Sequence, residues 1–275
     1  MLETGDRASN RSPQSQPPPV SPESVIMVAP QKQYTRELFD KFSYLATWLP
    51  GVPLRVGDVG IIREGHFQRL SSLENLGFTF AVRQDHAAAQ LDYASRGAVS
   101  VYFKAAGAIP PAGSVLAEAS AGVVIRMNRE NSVLFQALGA SFPSIEDQLS
   151  LEHEIRRRHA AGEWNMDYLV VTEVLEARAA TILIASSSDA RVELSVRGNL
   201  GMGNVSIADL DAGFEIAHFR GMHTRIVASE GLTPLFRAKR LRNRFLAGPV
   251  FRGGEPESRT PDDLEFAALT PDDLG

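Results

Sequence analysis

The residues able to hold a metal or attack a substrate are few, and their spacing is wrong for either task. Cysteine is absent and there are six histidines, which excludes thiol catalysis, Cys-ligated zinc, iron–sulfur clusters and a disulfide scaffold. His153-Glu154 followed by His159 comes nearest to a zinc-protease pattern, but that pattern needs its second His four residues on, where Arg157 stands. Six residues on a helix turn the second ring about 240° away from the first. His218 and His223 flank a turn at Gly221 without a neighbouring carboxylate. Neither a Gly-x-Ser-x-Gly elbow nor a phosphate loop occurs, and Gly198, Gly201 and Gly203 lack dinucleotide spacing. Glu173 and Glu176 supply a carboxylate pair that sequence alone cannot bring together. The expectation is a non-enzymatic protein without metal or cofactor.

Two basic clusters offer binding chemistry instead. Arg156, Arg157 and Arg158 fall near the C-terminal end of an expected helix, where cations complement the dipole. Arg237, Lys239, Arg240, Arg242 and Arg244 are denser and interleaved with Leu235, Leu241, Phe245 and Leu246, within an expected helix over 232–246. A structural helix comes first, an anionic membrane surface second and nucleic acid third. Overall acidity and the lack of interleaved exposed aromatics for base stacking disfavour nucleic acid.

These clusters need a scaffold, and the hydropathy pattern supplies one. Tyr34, Leu38, Phe42, Leu45 and Leu49 predict an amphipathic helix over 34–49, stopped by Pro50-Gly51. Strands are predicted over 54–62 and 67–70, turning at Glu64-Gly65. Further strands cover 97–107, where Val99, Val101 and Phe103 alternate with polar residues, and 122–127. A helix from Ser144, as N-cap, to Gly162 precedes strands over 168–174, 181–185, 191–197, 214–219 and 224–228. In the 191–197 strand Val192, Leu194 and Val196 share one face. The fold class is α+β, a mainly antiparallel twisted sheet with flanking helices.

Composition divides the chain into a Pro-rich leader (1–30), expected to be disordered, a core domain (31–247) and an acidic tail (248–275). The tail carries seven acids against Arg252 and Arg259, which accounts for the whole net charge of −5. Its Thr-Pro-Asp-Asp-Leu motif occurs twice, at 260–264 and 270–274, and has the form of a helix start. Leu264, Phe266 and Leu269 give the tail something to dock, and a solvated tail is the alternative. No apolar run is long enough for a transmembrane helix, and the first residues lack the apolar stretch of a secretory signal.

Asp167-Tyr168-Leu169-Val170-Val171-Thr172-Glu173-Val174-Leu175-Glu176 resembles the strand that opens the last part of the gasdermin pore-forming domain, where a Tyr-Val-Val-x-Glu-Val pattern follows a charged helix, here 145–161. The early helix, the basic stretch Pro53-Leu54-Arg55-Val56-Gly57-Asp58-Val59 and the alternating strands over 97–127 follow the same order. The resemblance covers about 31–246 and is to the short bacterial type, though the cysteine those proteins often lipidate is missing. It implies a cytoplasmic protein of antiphage defence and cell death, autoinhibited by its C-terminal segment. An activating protease would free it to bind acidic lipids at the inner face of the cell membrane, form a homo-oligomer and insert as a β-barrel. On that basis Arg237, Lys239, Arg240, Arg242 and Arg244 would meet lipid. Val99, Val101, Phe103, Val192, Leu194 and Val196 would insert, and Leu264, Phe266 and Leu269 would anchor the inhibitory tail against the basic cluster. The competing expectation is a soluble α+β binding or regulatory module whose acidic tail docks a basic partner protein.

Overall fold

The computed structural model describes residues 29–86, 88–112, 114–117, 121–196, 214–243 and 264–274. The leader expected to be disordered lies outside them up to residue 28, as do Arg244, the 198–203 glycines and most of the first Thr-Pro-Asp-Asp-Leu motif.

The architecture is α+β and its strand pairings are antiparallel. Helix α1 (Pro30–Phe42) begins earlier than periodicity predicts because Pro30 stands in its first turn, where the missing N–H costs nothing. It also stops earlier. Ser43 takes a left-handed conformation and donates its N–H to Phe39 O at 2.7 Å. Leu45, expected on the helix, instead enters strand β1 (Leu45–Ala46). Strands β2 (Asp58–Arg63) and β3 (His66–Ser72) form a hairpin whose Glu64-Gly65 turn has φ of 52° and 78°, the two positive values a tight right-twisted hairpin requires.

After these come β4 (Val82–Arg83), β5 (Ala89–Ala94), β6 (Val99–Lys104), β7 (Gly122–Met127), β8 (Val133–Ala140) and β9 (Ser144–Ile145). Ser144 is therefore a strand residue, not an N-cap. Its strand pairs with β4, and helix α2 (Gln148–Ala160) is capped by Asp147, whose carboxylate accepts the Ser150 N–H at 2.9 Å. Strands β10 (Leu169–Ala185), β11 (Ala190–Val196), β12 (Phe214–Arg220), β13 (Met222–Asn243) and β14 (Leu264–Ala268) follow, and a single 3₁₀ turn spans Pro271–Leu274.

The spine of the larger sheet is β10 against β13, paired from Leu169↔Arg240 to Ala185↔Met222 with four shifts of register along the way. The other edge of β10 takes β2, β9 and β8 in succession, and the far edge of β13 takes β1 and β14. The helix expected over 232–246 is absent: the chain there continues β13 to Asn243, hydrogen-bonded on both edges. The smaller sheet runs β12-β11-β7-β6. Its inner face (Val123, Ile125, Val192, Leu194) packs on Leu134, Leu183 and Ala185 of the larger one. Helix α1 buries Tyr34 and Leu38 against Phe135 and Leu175, while α2 buries Leu151 and Ile155 beside Val170 and Leu241. Burying such side chains stabilises by roughly 1.5–3 kcal/mol each.

Candidate functional site

The C-terminal residues come to rest on the basic end of β13. Strand β14 pairs with it in register, Lys239↔Ala268, Leu241↔Phe266 and Asn243↔Leu264 marking its extent. Leu269 N–H then donates to Ala238 O at 3.0 Å. Pairing sends alternate residues to opposite faces. Phe266 reaches the cluster of Ile155, Trp164, Val170 and Leu241, and Leu269 and Leu274 join Leu45, Leu169 and Phe236. All three are at least nine-tenths buried, and Leu264 is half-buried.

The charges of the two segments are matched at close range. Arg240 Nη2 lies 2.6 Å from Asp273 Oδ1, and Arg242 Nε lies 3.0 Å from Glu265 Oε1. Lys239 Nζ stands 5.8 Å from the Phe266 ring centroid, a cation–π approach. Asp273 also accepts the Thr270 N–H at 2.8 Å and the Thr270 hydroxyl at 3.1 Å, which fixes the second Thr-Pro-Asp-Asp-Leu motif as one 3₁₀ turn. That turn meets α1 through Arg36 Nη2 and Asp272 Oδ1 at 2.8 Å, beside a cleft of about 570 Å³ lined by Lys32, Arg36, Asp40 and Pro271. The part played by Arg36 was not legible in sequence. Nothing in its spacing links it to a residue 236 positions away.

Arg237 faces elsewhere. It packs over the Tyr44 ring at 4.1 Å, binds Glu173 at 3.2 Å and donates to Ser43 O. The Tyr44 hydroxyl donates to the other Glu173 oxygen. Burial, then that hydrogen bond and the Glu173 charge, push the Tyr44 pKa well above the ordinary phenol value. Glu173 is thus engaged by Tyr44 and Arg237, while Glu176 is exposed.

The other basic cluster is likewise occupied. Arg156 binds Glu152, and Arg157 and Arg158 share Glu154. Hydrogen bonds from those two guanidinium groups hold the Glu154 carboxyl down at about 2. Arg158 also stacks on Phe78 at 3.8 Å and donates to Leu76 O and Gly77 O, joining α2 to the loop after β3. His159 Nδ1 lies 3.0 Å from Trp164 O. Among the described residues no group of His, Asp and Glu is placed to hold a metal ion.

The expected insertion residues sit in the smaller sheet. Val192 and Leu194 are buried in its core, Val99, Val101 and Val196 are half-buried, and Phe103 is 50% exposed on the edge strand. The outer face of this sheet is not uniformly wet, contrary to the alternation in sequence. Part of the chain between β6 and β7 lies over it. There Glu193 accepts the Ser114 hydroxyl at 2.8 Å and the Val115 N–H at 2.9 Å, and Lys104 donates to Ala117 O at 2.8 Å. Burial pushes the Glu193 carboxyl up, but these two hydrogen bonds and the Arg191 charge outweigh it and hold its pKa below the ordinary value.

No helix among the described residues is long and apolar enough to cross a membrane. No protein-family model matches the chain, and no curated protein matches it.

Proposed function

We propose that this chain is a gasdermin-like pore-forming effector, held closed by its own C-terminal segment and opened when a protease cuts the 244–263 connection. The observation that carries the reading is the docking of 264–274 on β13. One segment covers Arg240 and Arg242 with carboxylates, occupies a sheet edge and fills two core clusters with Phe266, Leu269 and Leu274. Its departure would expose cations, an unpaired strand edge and apolar surface together. Those are the features that bind anionic lipid and promote association of identical chains. In this reading the freed domain binds acidic lipid at the inner face of the cell membrane, forms a homo-oligomer and inserts the hairpins β6–β7 and β11–β12. The alternative, a module whose tail docks a basic partner protein, requires the internal pairs at Glu265 and Asp273 to open first.

The test compares the full chain with one ending at Ala247 in dye release from anionic and neutral liposomes. Leakage from the shortened chain alone, and with anionic lipid alone, is expected. A shortened chain that stays folded, monomeric and inert towards anionic lipid overturns the reading.

A further inference from the structure

The outer face of the smaller sheet carries an arrangement that the reading above does not use. Arg191 on β11 lies directly opposite Arg126 on β7 and directly opposite Arg220 on β12. Three arginines thus form one transverse row over three adjacent strands. Like charges in opposed cross-strand positions repel one another, so such a row calls for a counter-charge. Asp189 supplies part of it, 3.4 Å from Arg220, and Glu193 pairs with Arg191. The donors remain incompletely used. Arg191 Nε lies against Glu193 Oε1, but Arg126 Nε and Arg191 Nη2 are buried without a hydrogen-bond acceptor, and the Arg191 side chain is nine-tenths buried. Buried donors in that condition are costly and uncommon in folded proteins.

All three arginines line one cavity of about 450 Å³, together with His218, Asn128 and Ser188. All three are also held in place by backbone: Arg126 Nη2 donates to Ala112 O at 2.9 Å, Arg191 Nη1 to the same oxygen at 3.4 Å and Arg220 Nε to Asp189 O at 3.2 Å. Guanidinium groups present planar forks of donors that match a tetrahedral oxyanion, and several forks on one cavity suit an anion with three free oxygens better than a carboxylate.

We infer that this cavity is a binding site for a phosphate group, as inorganic phosphate or a phosphomonoester. The burial of Arg191 favours a small soluble ligand over a bilayer headgroup. A phosphate here would tie β7, β11 and β12 together and so link the two hairpins of the smaller sheet. The inference stands independently of the pore-forming reading.

The experiment uses the full chain. Thermal unfolding and calorimetric titration are run with inorganic phosphate and with glycerol phosphate, against chloride at matched ionic strength. Co-sedimentation with phosphatidic acid vesicles forms the lipid arm. The melting temperature should rise with phosphate and saturate. Arg220→Met, at an exposed position, should weaken binding about tenfold or more while leaving the fold intact. Arg191→Met should abolish binding. Vesicle capture that Arg220→Met removes, without any response to soluble phosphate, would assign the site to a lipid phosphate. Equal melting temperatures in phosphate and chloride with no such capture, or phosphate binding unchanged in Arg220→Met, would overturn the inference.

Discussion

Truncating Phe266 should open the C-terminal segment far more than removing any of its charges. Phe266 is 6% exposed and packs among Ile155, Trp164, Val170 and Leu241. Phe→Ala at buried sites costs about 3–5 kcal/mol. The lower end, ~3 kcal/mol, is the better figure for a residue near a chain terminus, and it raises the undocked fraction ~100-fold at 1.4 kcal/mol per decade. The Arg242–Glu265 pair is about two-fifths exposed on both sides. Exposed pairs contribute ~0–1 kcal/mol, so Glu265→Gln should raise the undocked fraction by no more than about fivefold. Asp273→Asn falls between, because that carboxylate is mostly buried and also organises Thr270.

Hydrogen exchange at 264–269 measures opening directly, with β10 amides as an internal control for global stability. On the pore-forming proposal, dye release from anionic liposomes should rise with it. The order Phe266→Ala, then Asp273→Asn, then Glu265→Gln identifies burial as the dominant anchor and charge as the lesser one. High salt should then loosen the segment only slightly, since apolar burial is not screened. Equal opening by Glu265→Gln and Phe266→Ala, or release of the segment by salt alone, would refute the reasoning.

Two further outcomes follow from single groups. Because the folded Glu193 carboxyl lies below its ordinary value, its contribution is whole above the ordinary Glu range and is lost as pH falls through the depressed folded pKa. Exchange at Val115 and Leu116 should accelerate in that acidic window, and Glu193→Gln should show the faster exchange already at neutral pH. Asp147→Ala should destabilise α2 by removing its N-cap, lowering the melting temperature by a few degrees without moving β13–β14 exchange.

Sequence periodicity served best where one element decides its own structure. The hairpin at Glu64-Gly65, the alternation through Val99 and Val101, and the end of α2 near Gly162 all rest on local rules. It failed where pairing partners decide. Residues 232–243 hold three leucines and three arginines, good helix formers. Instead the Thr233 hydroxyl accepts the Leu54 N–H at 2.7 Å, and the segment lies between β10 on one edge and β1 and β14 on the other. Two ladders of backbone hydrogen bonds outweigh a modest propensity. The same failure misplaced Leu45 and Ser144, each at the border of a helix and each taken by a two-residue strand. Charge and apolar content made the tail's contact with the basic cluster one of two readings, a solvated tail being the other, and they placed it against a helix where a strand stands. The identities of the partners were not legible, since pairs such as Arg36–Asp272 depend on folding distant segments together.

Strand length sets one more condition on the proposed activity. Strands β6 and β7 have six residues each, and β11 and β12 seven. A membrane-spanning strand needs about 9–11. In β6–β7 the connection 105–121 would lengthen both strands at the hairpin tip, and part of that connection is folded over the sheet by Glu193, Leu116 and Lys104. Insertion therefore requires the cover to lift, whatever happens to the C-terminal segment. In an extended hairpin Glu193 would share a face with Arg191 and Ser195, opposite Val192 and Leu194, which is the polar and apolar division a barrel wall needs. The absence of native cysteine makes this directly testable. In a chain ending at Ala247, Ser114→Cys and Glu193→Cys joined by a short thiol cross-linker should bind anionic liposomes yet release no dye. The same variant without the cross-linker should leak. Full leakage from the cross-linked form would show that the cover stays in place during permeabilisation, and that the β6–β7 hairpin is not what crosses the bilayer.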